Sequence, residues 1–470
     1  METRDQRTAT RRRQFARTAW ARLRAQADRR AGEPYGPEEE PDAPATYRAM
    51  DLALRVGELL LASGEGNETV SEAMRSLSVA YGLPRTEATV TFTAISLSCQ
   101  PGHGAAPVTG ERVVRRRSPD YSRLVATHQL VGDAALGLLE LDEAFDRLRA
   151  IKYGQSRYPG WVVALSLPLL AASAAVLTGG GALVAAIAFV SAVVAERTTV
   201  VLARRGIAEF YQYATAAMIG SATGIGLIAT GVSLPASAVV TGSIMALLPG
   251  RPLVASVQDG ITGAFVSSGA RLLEVFFIVA AIVSGVGLTV YAATRLGVTL
   301  PLGALPHIAV SLQPAQLLAA IGISVTFAMS LLAPMRAVLA SAAGGGLIWM
   351  AYVLLRANDV PAVMASGMAA AAIGLLAHLL AWWQRSPSLP YVVPVIGPLL
   401  PGTLLYRGLV ELNLGDVNQG LLNLSQAIAV ALALGVGINL GGELVRSLRG
   451  NGTVGTSPRN RPAARRTRGY

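Results

Sequence analysis

Beyond Trp161 the sequence becomes a succession of apolar runs that continues to Arg446. A helix needs roughly 20 apolar residues to cross the hydrocarbon of a bilayer. Inside lipid no water can satisfy the peptide groups, so such a run must become a helix that bonds its own backbone. Ten spans are expected, at 161–178, 182–203, 210–231, 235–248, 270–293, 314–333, 336–355, 361–383, 389–400 and 422–445. Composition agrees: 52% of the residues are hydrophobic and 15% charged, with the charges crowded before Lys152 and after Arg446. A soluble domain has no means of hiding so much apolar surface from water.

The fourth and ninth runs are too short to cross, and both stop at Pro-Gly. Leu247-Leu248-Pro249-Gly250 recurs without a gap 152 positions later as Leu399-Leu400-Pro401-Gly402. Ser233-Leu234-Pro235 lies near Ser388-Leu389-Pro390, three residues out of that register. A polar stretch follows each break: Gln258-Asp259-Gly260 after the first, and Glu411, Asn413, Asp416 and Asn418 after the second. Interrupted hydrophobic segments in matching positions of two halves point to a transporter's substrate site.

Arginines set the orientation, because basic loops are retained in the cytoplasm. Arg204, Arg205, Arg251, Arg271, Arg336, Arg385, Arg446 and Arg449 fall on one side of this topology, against Arg295, Arg356 and Arg407 on the other. The richer side is therefore cytoplasmic, with both termini inside. Five spans per half is an odd number, so the second half is inverted, with one Pro-Gly break expected near the cytoplasmic face and its twin near the outer face. The expected fold is a mainly α, polytopic membrane protein, with ten transmembrane helices as a 5+5 inverted repeat after a small cytoplasmic α+β domain. The expected boundaries are a basic disordered tail and linker over 1–45, the α+β domain over 46–155, the repeats over 156–300 and 301–447, and a second basic tail over 448–470.

In the first tail, Arg11-Arg12-Arg13-Gln14-Phe15 lacks the apolar segment of a twin-arginine export signal. Phe15, Ala19, Leu23 and Ala27 share a helical face, which leaves open a basic helix on an anionic leaflet. The Pro/Glu run from Glu33 to Pro44 reads as a linker. Helices are expected over Tyr47–Ser63 and Glu68–Tyr81, closed by Gly64 and Gly82. Ala88–Cys99 alternates and is β-rich, as is Glu111–Arg116. Two further helices are expected, one from the Ser118-Pro119-Asp120 cap to Leu136 and one over Glu140–Ile151. The net charge of +11 is nearly all arginine and sits in the tails and beside spans, which argues against a nucleic-acid partner. A single cysteine, Cys99, excludes an intramolecular disulfide framework and a Cys-based zinc site. No cofactor and no metal are expected.

Leu59–Gly82, Val90–Ser98 and the R-R-R-S-P-D-Y-S-R-L-V run at Arg115–Val125 resemble the threonine/serine exporter family. The resemblance extends from about Thr46 to Arg446 and takes in both the soluble part and the spans. It implies export of small amino acids or related carboxylates, driven by the membrane potential or a proton gradient. It also implies a two-half membrane part, since some members are split into two chains there. The chain departs from the family pattern at Glu65-Gly66-Asn67-Glu68 and at Phe92.

A zwitterionic substrate needs a partner for each of its charges, and helix ends exposed by a break supply partial charges of both signs. Substrate-binding candidates are Pro249, Gly250, Gln258, Pro401, Gly402, Asn413 and Asn418. The competing reading of each Pro-Gly is a plain helix end. Acids inside a membrane cost about 2.5–3.5 kcal/mol on insertion scales, so Asp259, Glu274, Glu411 and Asp416 are the proton-coupling candidates. Arg271 is expected to pair with Glu274 along one helix face, whereas Asp259 has no such neighbour in sequence. Glu196-Arg197 and Glu443-Arg446 read as interface pairs, and His378 as a packed polar residue. Gly220–Gly224 and Gly437–Gly441 match the small-residue pattern of helix packing.

An enzyme remains the rival class. The soluble part contains His103, His128 and several acids, but no nucleophile elbow, phosphate loop or H-E-x-x-H. The other rivals are a dicarboxylate exporter and a membrane-anchored hydrolase or regulatory module with a passive channel. The reading reached is a secondary transporter that exports threonine or serine across the bacterial cytoplasmic membrane, with protons and the lipid bilayer as further partners. Homo-oligomerisation is left open.

Overall fold

The computed structural model describes residues 43–83, 85–100, 106–114, 119–155, 157–230, 234–298, 311–413 and 415–448. They divide into two compact units, one of residues up to 118 plus 123–155, the other of 119–122 and 156 onward. Of the expected tails, residues 1–42 and 449–470 lie outside the described residues, as does His103, while 43–45 and 448 belong to helices.

The first unit contains α1 (Ala43–Ala62), α2 (Asn67–Ala80), β1 (Thr86–Val90), β2 (Ala94–Cys99), β3 (Val108–Val113), α3 (Tyr121–Ala135) and α4 (Leu141–Tyr153). Gly64 and Gly82, both at positive φ, close the first two helices as glycine permits. The alternating run 88–99 is not one strand. It folds back at Thr91–Thr93, where the Ala94 amide donates to Thr91 Oγ1 at 3.1 Å. The result is an antiparallel sheet in the order β1-β2-β3. Leu52, Leu60, Leu61, Met74, Ile95 and Leu97 are all fully buried between these elements. A hypothetical Cβ on Gly110 would lie 2.6 Å from Leu54 Cδ1, so β3 lies directly on α1. Arg112 on β3 holds Asp51 at 2.8 Å and Glu58 at 3.0 Å on α1. Those two carboxylates raise the Arg112 pKa despite the opposing effect of burial.

The second unit is helical. It runs α5 (Gly160–Leu177), α6 (Ala182–Arg204), α7 (Glu209–Ala229), α8 (Ala236–Leu247), α9 (Gly250–Ile261) and α10 (Phe265–Arg295). It continues with α11 (Pro314–Ser330), α12 (Met335–Ala357), α13 (Ala362–Trp383), α14 (Leu389–Val392), a 3₁₀ segment (Pro394–Leu399), α15 (Gly402–Asn413) and α16 (Val417–Leu448). Six helices among the described residues are long and apolar enough to cross a membrane, and each of two bent pairs adds one if taken together. The chain is thus a multi-pass membrane protein with six to eight candidate spans. The other two expected spans are α11, apolar but only 17 residues long, and α7, whose Glu209, Gln212, serine, threonines and glycines dilute its hydropathy. Outward-facing side chains are apolar, among them Phe276 and Phe277 on α10 and Leu421, Leu422 and Ile428 on α16. Such a surface belongs in lipid.

Element lengths recur across this unit. The helices α6 and α12 each have 23 residues and start 153 positions apart, at Ala182 and Met335. The helices α9 and α15 each have 12 residues and start 152 apart, at Gly250 and Gly402. Each half then closes with its longest helix, α10 with 31 residues and α16 with 32. The halves differ before the break. Where α8 is regular, Pro390, Pro394 and Pro398 remove amide donors, and the chain tightens into one α-turn and a 3₁₀ segment.

The glycine patterns do pack helices. A Cβ on Gly224 would lie 2.3 Å from Val240 Cγ2 of α8, and one on Gly437 would lie 2.3 Å from the Gly367 carbonyl oxygen of α13. His378 Nδ1 lies 2.7 Å from the Gly374 carbonyl oxygen, and its ring lies against Gly442. Glu443 and Arg446 pair at 2.6 Å.

Candidate functional site: two broken helices

Each break has the same backbone. Leu248 and Leu400 are extended, at φ −65°, ψ 133° and φ −60°, ψ 134°. The Gly250 amide donates to the Leu248 carbonyl at 2.9 Å, and the Gly402 amide to the Leu400 carbonyl at 2.8 Å. Pro249, at φ −80° and ψ 60°, is the centre of an inverse γ-turn. Proline supplies the fixed φ and has no amide to lose. The axes bend by 49° at the first break and 44° at the second.

The breaks pack on each other, which corrects the expectation that they lie near opposite faces of the membrane, about 30 Å apart. A Cβ on Gly250 would lie 3.2 Å from Leu400 Cδ1, and one on Gly402 would lie 2.4 Å from Met245 Cγ and 3.6 Å from Leu248 Cδ1. The elements that follow also cross between halves. Tyr406, Leu409 and Val410 of α15 share a buried cluster with Ile244 of α8 and Ile282 and Val286 of α10. Reciprocally, Val257 of α9 fills the space in front of Gly435 on α16. Gly250 and Gly402 are both buried in this packing, while Pro249, Pro401 and Gln258 are half-buried. An open apolar groove of about 360 Å³ lies between α6 and α7, but none of its lining residues belongs to a break.

Beyond each break the chain makes the same hairpin. Gly263 and Gly415, 152 apart, have φ of 86° and 92°. The Ala264 amide bonds the Asp259 carbonyl at 2.8 Å, and the Asp416 amide bonds the Glu411 carbonyl at 3.0 Å. Each hairpin encloses one buried acid with a partner 12 residues on. In the first, Asp259 Oδ2 accepts from Arg271 Nε at 2.8 Å, with both side chains at most 3% exposed. In the second, Glu411 accepts from Asn423 Nδ2, again within the protein interior.

These contacts add a partner that sequence spacing did not supply. Asp259 does have a cationic neighbour, brought from 12 residues away by the turn at Gly263. Arg271 accordingly pairs with Asp259, which the helix-face argument for Glu274 did not foresee. Glu274 is half-buried one turn further along α10. Asp416 is exposed and caps α16, its Oδ1 accepting the Gln419 amide at 3.2 Å. Asn418 is exposed beside it, and of Asn413 only the helical backbone is described. Sequence reading missed Asn423. The signal was present, since Glu411 and Asn423 lie 152 positions after Asp259 and Arg271 and so extend the Pro-Gly register without a gap.

The family-like segment of the first unit is a structural joint. Glu65, 4% exposed, meets His128 Nε2 at 2.8 Å, and Asn67 Nδ2 donates to the Val90 carbonyl at 3.2 Å. Among the described residues no group of three or more His, Cys, Asp or Glu is placed to hold a metal.

With this geometry established, the comparisons with known proteins decide the family. Residues 51–292 match the family described as "Putative threonine/serine exporter", and 316–442 match "Threonine/Serine exporter, ThrE". The chain belongs to the threonine/serine exporter family. It is 32% identical over 420 residues to a "Probable threonine/serine exporter" of Mycobacterium tuberculosis, covering 87% of this chain and 79% of that one. It is 30% identical over 425 residues to the "Threonine/serine exporter" of Corynebacterium glutamicum, covering 88% and 86%. No solved structure matches. The two family matches are separated by residues 293–315, from the last turn of α10 to the start of α11, so the family boundary falls between the two sets of recurring elements.

Proposed function

We propose that this chain is a secondary transporter that exports small amino acids, threonine and serine foremost, across the bacterial cytoplasmic membrane. The observation that carries the reading is the pair of broken helices, alike in backbone and packed reciprocally at Gly250 and Gly402. Broken helices near the middle of a membrane protein expose dipole ends that suit a zwitterion without the cost of buried full charges. Both relatives carry the name of threonine/serine exporter, which supports the substrate class.

In this reading α5–α10 and α11–α16 are the two halves of a 5+5 inverted repeat of ten spans, with both termini in the cytoplasm. The first unit is a cytoplasmic α+β domain. Pro249, Gly250, Pro401 and Gly402 line the substrate site, with Gln258, Asn413 and Asn418 on the segments beyond it. Transport is coupled to protons, and the acids that follow the breaks, Asp259, Glu274, Glu411 and Asp416, are the candidates for that role. The buried position of Asp259 and Glu411 singles them out from the half-buried Glu274 and the exposed Asp416. The test is efflux of preloaded threonine or serine from cells expressing the chain, with and without a protonophore. Efflux above the empty-vector level that collapses with the protonophore is the expected result. Efflux equal to the vector control refutes the exporter reading, and protonophore-insensitive efflux refutes the coupling.

A further inference from the structure

Within that proton-coupled reading, we propose that Glu411 is the membrane carboxyl that takes up and releases the proton, and that its counterpart Asp259 is a permanently ionised strut. The two acids occupy equivalent places in hairpins with the same turn, so their partners make the difference. Arg271 has only donors. It can bond an ionised Asp259, but it has no lone pair to accept a proton from the acid form. Protonating Asp259 would also remove the charge of the carboxylate that the buried Arg271 Nε–H bonds at 2.8 Å. Asn423 has both an N–H donor and a carbonyl acceptor. Its Nδ2 donates to the Glu411 carboxylate as observed. A half-turn of the amide presents Oδ1 to accept the O–H of the protonated acid. The Glu411–Asn423 hydrogen bond can therefore be kept whether or not Glu411 carries a proton.

The surroundings make the same distinction. Ser268 Oγ clips the first hairpin by donating to the Ser256 carbonyl at 2.7 Å. The equivalent positions in the second are Gly408 and Gly420, where a Cβ on either would come within about 3 Å of the other's carbonyl oxygen. The first hairpin is thus tied by an ion pair and a hydroxyl, the second by one neutral amide. The charged residues on elements packed around Glu411 are Arg407 on its own helix, Asp416, Glu443 and Arg446 on α16, and Arg271, Glu274 and Arg295 on α10, while α8 carries none. Among these, Arg271 is engaged by Asp259 and Arg446 by Glu443, and Arg295 is exposed and lies over Tyr291.

The experiment uses the full-length protein in liposomes and follows the carboxylic C=O stretch by infrared spectroscopy across a pH series. Threonine exchange and pH-gradient-driven threonine accumulation are measured alongside. The wild type should show a titrating buried-acid band. That band should vanish in Glu411→Gln and in Asn423→Arg, which copies the first hairpin's ion pair, and should persist in the Asp259→Asn/Arg271→Asn double variant. Glu411→Gln should still exchange threonine while gradient-driven accumulation falls at least ten-fold. A band that survives Glu411→Gln, that is lost in the double variant, or that never titrates overturns the assignment. Wild-type transport indifferent to the gradient, with the band behaving as expected, sinks the coupling reading and leaves Glu411 as the proton site.

Discussion

Replacing Arg271 by methionine should destabilise the membrane unit more than any surface change, and removing Asp259 as well should reverse most of that loss. The two side chains are 3% and 1% exposed, so water screens little of their interaction. Taking away one partner of such a pair strands a buried charge and costs about 3–5 kcal/mol, whereas replacing both with neutral groups is often neutral or stabilising. At roughly 2 °C per kcal/mol for a unit of this size, Arg271→Met should lower the melting temperature by about 6–10 °C. Asp259→Asn/Arg271→Met should return to within about 3 °C of the wild type by the same conversion. The measurement is thermal unfolding of the detergent-purified protein, read by loss of monodispersity on size exclusion. The double variant separates the pair's energy from simple loss of packing, since it keeps the methionine. A single variant that melts with the wild type, or a double variant as unstable as the single, would refute the buried-charge argument.

Four further outcomes are expected. Gly402→Ala should impair efflux more than Gly250→Ala, because its new methyl would sit 2.4 Å from Met245 Cγ against 3.2 Å from Leu400 Cδ1; initial efflux rates at equal membrane expression decide it. Gly441→Leu should abolish accumulation of folded protein, since even a Cβ there would lie 2.4 Å from the Leu375 amide nitrogen; fluorescence-detected size exclusion reports this. Cys99 is fully buried on β2, and burial pushes its thiol pKa up, so it should resist maleimide at neutral pH until the first unit unfolds; a denaturant series read by mass shift tests it. Reporters fused near Gly206 or Ser386 should give a cytoplasmic signal and one near Thr299 an external signal; cytoplasmic activity at Thr299 would overturn the inverted topology.

The helices of the second unit were legible because a bilayer leaves an apolar segment little choice but to bond its own backbone. The Pro-Gly breaks were equally plain, since proline and glycine are the residues a γ-turn between helices demands. What failed to show was pairing. Arg271 lies three residues from Glu274 and 12 from Asp259, and sequence spacing favours the nearer acid. Only the reversal at Gly263 brings the farther one into contact. Asp416 misled for a related reason: a short acid before a helix reads equally as a cap or a functional carboxylate, and exposure distinguishes them. In the first unit, β-propensity over 88–99 was read correctly, but the Thr91–Thr93 reversal carries no glycine or proline to announce it.

The reciprocal packing of the two breaks means that neither is an independent door. The space in front of Gly250 is held by Leu400, and Leu400 is the residue whose carbonyl fixes the turn at Gly402. The space in front of Gly402 is held in turn by Met245, with Leu248 farther off, so each break is walled by side chains of the other half. Enlarging a side chain at either break would therefore be felt in the other half of the unit, which makes the two breaks one packing unit rather than two sites.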